Sequence, residues 1–377
     1  MIYEYMISFA LAFIVAFSST PIVKKIAFSV GAIDVPKDAR RMHSKPIARL
    51  GGLAIFSGFI ISLMFGIIST YLNIVGIEPN RQLLALLVGV FIIVGIGIID
   101  DIKQLGAKFK LVFQIAAAVA VVLISDTRIT VLTNPLANDG YSQLNDYISY
   151  PLTVMWIIGV TNAINLIDGL DGLAAGVSSI SYLSLFFISV IGGDVEAATI
   201  TAILAGSTLG FLPYNFNPAK IFMGDTGSTF LGFTLAVVSI QSMMKSYAAI
   251  SIGIPLLVLG LPLFDTISTI FRRLLNGKSI MQADRGHLHH RLIDMGLSHK
   301  QSVVVMYTAS AALGLSAIVL ADKGVWSAII LIISVAIFVI AGARYMSEFE
   351  DVEIVKEEEQ KDKIVSTVVK EINDVEN

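Results

Sequence analysis

The sequence contains no cysteine and few charged residues. The absence of cysteine excludes a disulfide framework, a thiolate metal site and a cysteine nucleophile. Charged residues make up 15% and hydrophobic residues 55% of the 377 residues, and the mean hydropathy is +0.79. Soluble globular domains carry about 25% charged residues. A chain with this much apolar surface needs lipid as its solvent. We therefore expect it to lie in a lipid bilayer and do not expect it to bind nucleic acid.

Long apolar runs dominate the rest of the sequence. A helix needs about 20 mostly apolar residues to cross the hydrocarbon core of a membrane. Eleven such runs lie near 5–24, 50–72, 82–99, 110–125, 150–167, 172–191, 196–213, 228–244, 248–271, 302–320 and 325–343. The sequence therefore predicts an all-α polytopic membrane protein with about eleven transmembrane helices.

The basic residues between these runs predict the orientation. With the N-terminus outside, 22 of the 26 Lys and Arg residues fall on cytosolic segments and four fall outside. Cytosolic loops of membrane proteins carry this excess, so we predict an external N-terminus and a cytosolic C-terminus. The external loop 126–149 contains a strand-like piece, ITVLT. The last residues, 346–377, carry eleven acids and four lysines and are expected to form a cytosolic tail, partly disordered or helical.

Eight aspartates outside this tail lie on predicted cytosolic loops or at the cytosolic ends of apolar runs, and Asp265 lies within an apolar run. The eight are Asp34, Asp38, Asp100, Asp101, Asp168, Asp171, Asp225 and Asp284. An ion-coupled transporter needs polar groups near the bilayer midplane, so this distribution disfavours that class.

The segment GIIDDIKQLGAKFK, residues 97–110, ends an apolar run in adjacent carboxylates, Asp100 and Asp101. Two neighbouring carboxylates repel each other, and a metal ion or a cationic partner relieves the repulsion. Three lysines follow, of which Lys110 is the last. The segment therefore suits a site that handles phosphate and Mg²⁺ together. The alternative is a solvated helix end followed by lysines that anchor the cytosolic side.

The segment TNAINLIDGLDGLAAG, residues 161–176, is a polar hairpin between two apolar runs. Asn162, Asn165, Asp168 and Asp171 follow one another at steps of three, so a helical turn would place them on one side. Amide and carboxylate oxygens together suit a hard cation. Ordinary helix capping by the Asp-Gly pairs is the alternative.

A third segment, FLPYNFNPAKIFMGDTGSTFLG, residues 211–232, contains GDTGS immediately before an apolar run. Backbone N–H groups at a helix N-terminus favour an anion, whereas Asp225 favours a cation. The combination suits a metal-bound diphosphate. Simple N-capping by Asp225 or Ser228 is the alternative.

Two basic segments complete the pattern. QADRGHLHHRL, residues 282–292, places His287, His289 and His290 beside Arg285. Basic flanks favour phosphate binding over a zinc site. The segment RRMHSKPIARLGG, residues 40–52, includes Lys45 and reads either as a cytosolic anchor or as a further phosphate contact.

These segments, in this order, resemble the polyprenyl-phosphate N-acetylhexosamine-1-phosphate transferases over residues 1 to about 345. The quoted pieces are RMHSKPIARLGG, GIIDDIKQLGAKFKLVFQ, NAINLIDGLDGLAAG, YNFNPAKIFMGDTGS and GHLHHRL. The resemblance implies a transmembrane catalytic domain over 1–345, ten or eleven helices around a cytosolic cleft, and a reaction that depends on Mg²⁺, with Mn²⁺ as a substitute. The tail 346–377 lies outside the resemblance.

The resemblance also implies roles for individual residues. Asp225 is the expected metal ligand, with Asn165 beside it. Asp100 and Asp101 form the pair that contains the expected base. The hairpin acids, Asp168 and Asp171, are expected in the catalytic group. The expected substrate contacts are Lys45, Lys110, Asn162, Asn215, Phe222, Arg285, His287, His289 and His290.

The histidine pattern bears on the substrate. His-Leu-His-His is similar to the branch that uses UDP-GlcNAc, whereas the phospho-MurNAc-pentapeptide translocases have three consecutive histidines. The resemblance implies transfer of GlcNAc 1-phosphate from UDP-GlcNAc to undecaprenyl phosphate in a bacterial plasma membrane, the first step of teichoic acid or lipopolysaccharide O-antigen synthesis. The translocase of peptidoglycan synthesis is the alternative, and homo-oligomerisation stays open.

Overall fold

The structure of the chain, a computed structural model, describes residues 2–35, 46–71, 77–134, 141–244, 252–277, 286–329 and 331–333. It divides into a unit over residues 1–325 and a second unit over 326–377. The described residues of the second unit are helical. All residues of the candidate site lie in the first unit, and the predicted tail, 346–377, lies outside the described residues.

Twelve helices form the described part of the first unit. They are α1 (Ile2–Val30), α2 (Gly52–Tyr71), α3 (Arg81–Lys103), α4 (Ala107–Ser125), α5 (Asp146–Ile167), α6 (Leu173–Ile191), α7 (Val195–Asn215), α8 (Gly224–Met244), α9 (Gly253–Val258), α10 (Gly260–Leu275), α11 (Leu288–Asp294) and α12 (His299–Lys323).

Eight of these helices, α1 to α7 and α12, are long and apolar enough to cross a membrane. Hydrocarbon tails solvate apolar groups as well as a protein core does, so the apolar side chains of these helices suit both lipid and neighbouring helices. The all-α polytopic architecture is therefore confirmed. The number of spans and their orientation stay predictions, and the predicted span 325–343 lies mostly outside the described residues.

The predicted ninth span, 248–271, is wrong as a single helix. In its described part the chain forms two helices, α9 and α10, which meet at Leu259. Pro262 has no N–H to donate to the carbonyl four residues earlier, so the helix ladder is interrupted there. The Ser181 hydroxyl donates instead to that carbonyl, at Val258, with an oxygen–oxygen distance of 3.1 Å.

Close helix packing brings α2 and α3 against the start of α8. A β-carbon at Gly52 would lie 2.0 Å from the Gly227 nitrogen, and one at Gly97 would lie 2.6 Å from the Thr226 α-carbon. Only glycine allows backbones to approach this closely. Motifs on three separate helices are therefore brought to one place by contacts within the helical bundle.

Short strands lie in two of the connections. β1 (Ile33–Asp34) pairs antiparallel with β2 (Ile47–Ala48), and the Ala48 carbonyl accepts a hydrogen bond from the Phe222 N–H at 2.8 Å. In the predicted external loop, β3 (Val131–Thr133) pairs with β4 (Tyr141–Gln143), which confirms the strand-like piece ITVLT.

Candidate active site

Three aspartates meet where α3 ends and α8 begins. Oxygen atoms of Asp100, Asp101 and Asp225 lie within 4.8 Å of one another. Lys110, in the first turn of α4, lies against this group. We call these four residues the carboxylate centre. It joins two motifs, the Asp-Asp pair and GDTGS, that are more than 100 residues apart in the sequence.

Asp101 caps α8 from another helix. Its carboxylate accepts hydrogen bonds from the Asp225 N–H at 2.9 Å, from the Thr226 N–H at 3.0 Å and from the Thr226 hydroxyl at 2.6 Å. Arg49 Nη2 lies 3.3 Å from the same carboxylate. The first N–H groups of a helix have no partner within it, and a carboxylate satisfies them well. Both oxygens of Asp101 are thus occupied by the protein.

Asp100 has a different set of partners. One oxygen accepts the Leu105 N–H at 2.6 Å, where the chain turns from α3 into α4. The other oxygen lies 3.2 Å from Lys110 Nζ, and the same ammonium group pairs with Asp225. The lysine therefore neutralises two carboxylates that belong to different helices. Because carboxylates repel each other, this cation is what allows them to lie close together.

The donor set of the centre suits a hard divalent cation. Mg²⁺ prefers carboxylate oxygens and often shares its site with substrate phosphates. Asp225 is the most accessible of the three acids, with 19% of its side chain exposed against 4% for Asp100 and 0% for Asp101. The residues therefore fit the predicted metal, with Asp225 best placed to contact it.

Asn165 borders this centre. Its amide donates to the Ser228 hydroxyl at 2.8 Å, and Ser228 follows Asp225 by three residues on α8. Asn162, one turn earlier on α5, lies with Gln114 instead, since the two amides hydrogen-bond at 2.7 and 3.5 Å. The structure thus places Asn165 beside the carboxylate centre and ties Asn162 to α4.

The four polar residues of the hairpin do not stack on one side. α5 ends at Ile167, so Asp168 and Asp171 lie in the turn beyond the helix. The Asp171 carboxylate accepts hydrogen bonds from Asn217 Nδ2 at 2.9 Å and from the Ala219 N–H at 3.0 Å. Asp171 is therefore engaged with the loop after α7, which corrects the predicted arrangement.

Asp168 stays within electrostatic reach of the centre. Removal from water raises the pKa of its carboxyl well above the ordinary value, and the negative charges of Asp225 and Asp101 raise it further. Its side chain is half-buried rather than sealed from solvent. The charge on Asp168 is therefore coupled to the charges of the centre.

The predicted nucleotide contacts lie before GDTGS. Asn215 ends α7 and is 2% exposed, and its amide donates to the Ile221 carbonyl at 3.1 Å. Phe222 is half-buried, and its backbone pairs with Ala48 and Gly51. Both residues thus shape the loop that leads into α8.

Gly286 and the four residues after it, which we call the histidine segment, approach the hairpin from the other side. His289 is 1% exposed, and a β-carbon at Gly169 would lie 2.5 Å from its Nε2. The His287 and His289 rings are nearly parallel, with centroids 5.7 Å apart, and the His290 ring lies 4.3 Å from His289. Burial lowers the pKa of His289 to about 4, so this imidazole is neutral at physiological pH. Lys45 and Arg285 lie outside the described residues.

Sequence reasoning assigned no role to three side chains that hold these segments. Asp265 on α10 lies 2.9 Å from His287 Nδ1. On α12, His299 Nε2 accepts the Asp171 N–H at 2.9 Å, and the Tyr307 hydroxyl donates to the Gly172 carbonyl at 2.5 Å. A carboxylate within an apolar run was a signal for Asp265. The two α12 residues carried no signal, because their partners are over 100 residues away.

The chain is similar in sequence to known proteins. Residues 83–243 match glycosyl transferase family 4. The chain is 43% identical over 342 residues to a probable undecaprenyl-phosphate N-acetylglucosaminyl 1-phosphate transferase of Bacillus subtilis, covering 90% of this chain and 92% of the relative. It is 35% identical to a decaprenyl-phosphate N-acetylglucosaminephosphotransferase of Mycobacterium tuberculosis, covering 78% and 77%. An Escherichia coli undecaprenyl-phosphate alpha-N-acetylglucosaminyl 1-phosphate transferase is 28% identical over 77% of each chain.

Proposed function

This chain belongs to glycosyl transferase family 4, and we propose that it transfers N-acetylglucosamine 1-phosphate from UDP-GlcNAc to undecaprenyl phosphate. The products are UMP and a lipid-diphosphate sugar that begins a cell-envelope polymer. The family resemblance inferred from the motifs is thereby confirmed. The names of the relatives support the sugar and the polyprenyl acceptor.

The observation that carries the proposal is the carboxylate centre. Asp225 and Asp100, from different helices, share one ammonium group, Lys110 Nζ. A site that brings two acids and a lysine together can hold a divalent cation and bind phosphate oxygens at the same place. Asp225 and Asp100 would hold a bound Mg²⁺, which would supply charge neutralisation for the diphosphate. Mn²⁺, which also takes oxygen ligands, is the expected substitute.

The reaction replaces one phosphoanhydride bond by another. An oxygen of the lipid phosphate forms a bond to the β-phosphorus of UDP-GlcNAc, and the bond from that phosphorus to the oxygen of UMP breaks. Such a transfer needs positioning and charge stabilisation more than covalent chemistry by the protein. Lys110, whose ammonium group lies beside both Asp100 and Asp225, is placed to contact the transferred phosphate.

The structure supports different roles for the paired aspartates. Both oxygens of Asp101 are already bonded to the start of α8 and to Arg49, so Asp101 positions GDTGS. Asp100 is the better candidate for the base that accepts the last proton of the lipid phosphate. A phosphate monoester has a second pKa of about 6, so the acceptor is largely a dianion at neutral pH. Direct attack by this dianion therefore needs only modest help from a base.

The remaining site residues are assigned to the donor. The loop with Asn215 and Phe222 leads into α8 and contacts the hairpin at Asp171, and the histidine segment contacts the same hairpin at Gly169. We assign the nucleotide to the loop before α8 and the sugar diphosphate to the histidines. The translocase of peptidoglycan synthesis stays the alternative, distinguished by its larger donor.

We also propose a bacterial plasma membrane location with the site facing the cytosol. The loop charges motivate this orientation, and the absence of native cysteine makes it testable. A cysteine placed at Ser142 should react with an impermeant thiol reagent from outside intact cells, whereas one at Ser279 should react only after permeabilisation. The reverse pattern would contradict the orientation.

The direct test of function is turnover by the purified protein. Incubation with UDP-GlcNAc, undecaprenyl phosphate and Mg²⁺ should release UMP and form a sugar-bearing lipid diphosphate. Parallel reactions with UDP-MurNAc-pentapeptide should form little or no lipid product. Preference for the pentapeptide donor would replace the proposal with the translocase alternative.

A further inference from the structure

Helix α10 holds the histidine segment with two side chains two turns apart. Asp265 and Arg272 are separated by seven residues, so they lie on the same face of the helix. Asp265 is 1% exposed, and its carboxylate lies 2.9 Å from His287 Nδ1 and accepts the Leu288 N–H at 2.6 Å. Arg272 Nη1 donates to the Gly286 carbonyl at 2.8 Å. Three consecutive residues of the segment are thus tied to one helix.

The carboxylate of Asp265 also caps α11. This helix is short, and its N-cap residue, His287, makes no capping hydrogen bond with its own side chain. The Leu288 N–H, in the first turn, is satisfied from α10 instead. Because unsatisfied N–H groups destabilise a helix start, Asp265 fixes both where α11 begins and where His287 points.

The same contact selects one tautomer of His287. An ionised carboxylate can only accept hydrogen bonds, so the proton between the two side chains belongs to His287 Nδ1. In the neutral imidazole, Nε2 then carries a lone pair and can accept a hydrogen bond from a hydroxyl group. In the imidazolium ion, Nε2 becomes a second donor and can bind a phosphate oxygen.

A chain of contacts connects His287 to the hairpin. Its ring lies parallel to that of His289, at an interplanar angle of 9°. His289 in turn contacts Gly169, the neighbour of Asp168. His289 Nδ1 is buried, with no hydrogen-bond partner among the described residues. A buried imidazole nitrogen without a protein partner is a site where a bound ligand can supply the missing hydrogen bond.

We propose that Asp265 is a positioning residue for the sugar-diphosphate end of the donor. It holds His287 with Nδ1 protonated. It also fixes the position of the histidine segment relative to the turn that contains Asp168, and it does not contact the substrate itself. The inference rests on the proposed function, because it takes UDP-GlcNAc as the molecule that the histidines contact.

The variant Asp265→Asn tests this inference with little change in shape. The amide oxygen can still accept the Leu288 N–H, but the amide NH₂ group then faces His287 Nδ1 and favours the opposite tautomer. We expect kcat/KM for UDP-GlcNAc to fall about 10–100-fold, the scale on which partners that orient a functional histidine act. The KM for undecaprenyl phosphate should change less than about threefold. The matched control is Asp294→Asn, an exposed aspartate in α11, which should retain normal kinetics.

A double-mutant cycle shows whether Asp265 acts through His287. In a His287→Ala background, Asp265→Asn should lower kcat/KM by less than about threefold further, because the ring that it orients is gone. The same 10–100-fold loss in both backgrounds would overturn the proposal. That outcome would assign Asp265 a role independent of the histidine.

A spectroscopic measurement on the wild-type protein does not depend on turnover. Nitrogen-15 labelling of the five histidines, with His287→Gln used to assign the signal, reports which ring nitrogen of His287 carries the proton. The proposal requires the proton on Nδ1. A proton on Nε2 alone would overturn it, even if the enzyme is active. Conversely, a wild-type protein that is inactive towards UDP-GlcNAc but has the expected tautomer would contradict the proposed function and still support the contact between Asp265 and His287.

Discussion

The carboxylate centre and the histidine segment are held in place in different ways. The centre is assembled from the ends of α3, α4 and α8, and each of its acids contacts a lysine or a backbone N–H group within it. The histidine segment precedes and starts a short helix, and side chains of α10 hold it. The centre is therefore stabilised by its own charges, whereas the segment depends on a remote buried carboxylate. Substitutions in the centre should lower turnover itself, and those around the segment should weaken use of the donor.

The largest expected effect belongs to Asp225. Asp225→Ala removes the most accessible carboxylate of the centre and leaves Lys110 with only Asp100. We expect turnover to fall by about 10³-fold or more, the upper scale for loss of one charge-stabilising group. The protein should still elute as a folded species in detergent.

The control for this substitution is Asp322→Ala. Asp322 is 46% exposed, lies near the end of α12, and pairs with Lys323. It should retain normal turnover. A near-normal rate for Asp225→Ala at ordinary Mg²⁺ concentration would remove the distinction between the centre and the rest of the molecule.

Lys110 should show the next largest effect. Lys110→Met keeps the length of the side chain but removes the cation shared by Asp100 and Asp225. We expect kcat/KM for both substrates to fall about 10²–10³-fold. Lys108→Met provides a matched comparison, because Lys108 lies in the same turn of α4 and is exposed. Equal losses in the two variants would mean that only the overall positive charge matters.

Substitutions of the two paired aspartates should differ in their effects. Asp100→Asn should change the pH dependence of the rate, and Asp101→Asn should lower the stability of the protein. In Asp100→Asn the rate should fall about 10²-fold near pH 6, the lower range for removal of a general base, and the loss should shrink as pH rises and the lipid phosphate loses its proton unaided. Asp101→Asn places an amide NH₂ group against donors that its carboxylate accepted. This should lower the free energy of unfolding by about 1–3 kcal/mol.

The measurement is a pH–rate profile beside a thermal unfolding curve for each variant. Asp101→Asn should lose thermal stability, and a rise in pH should not restore its activity. If raising the pH rescues both variants equally, the assignment of different roles to Asp100 and Asp101 is wrong.

The smallest effect should be a gain in stability. Because the folded-state pKa of Asp168 is raised, its ionisation opposes folding as pH rises from about 4, the ordinary carboxyl pKa, through the raised value. Asp168→Asn removes that ionisation. Without Mg²⁺ and substrate, this variant should melt a few degrees above wild type at pH 8. A shift of that size corresponds to a gain of about 1 kcal/mol in the free energy of unfolding.

The difference should close as pH falls towards 4, where the wild-type carboxyl is protonated. Calorimetry or a fluorescence melting curve across this pH range provides the check. A variant that is less stable than wild type at pH 8 would show that the Asp168 carboxylate stabilises the turn, contrary to the expectation.

The sequence predicted which residues form the centre but not the different contacts that each of them makes. Asp100, Asp101 and Asp225 were recognisable because charged residues are costly at the end of an apolar run. The capping of α8 by Asp101 joins residues 125 apart, and no local pattern reports such a contact. The turn of Asp171 towards Asn217 depends likewise on where α5 ends and on the packing of the loop after α7.

The histidine segment was recognisable for its composition alone. Three histidines within four residues indicated a site. The contacts from Asp265 on α10 were not predicted, and the apolar run 248–271 concealed the break between α9 and α10. Pro262 and Gly260 were visible signals for that break. In a membrane, apolar sequence predicts only that a segment is helical and lipid-soluble, so interruptions within a run are easily missed.

The measurement that tests the central claim most directly follows the two phosphates of the donor. UDP-GlcNAc labelled at the β-phosphate and UDP-GlcNAc labelled at the α-phosphate are each incubated with the protein, undecaprenyl phosphate and Mg²⁺. Direct attack at the β-phosphorus predicts that the β-label enters the lipid and the α-label leaves as UMP. It also predicts that the protein carries no label when the lipid acceptor is omitted. Release of β-labelled UDP, or covalent label on the protein, would contradict the account.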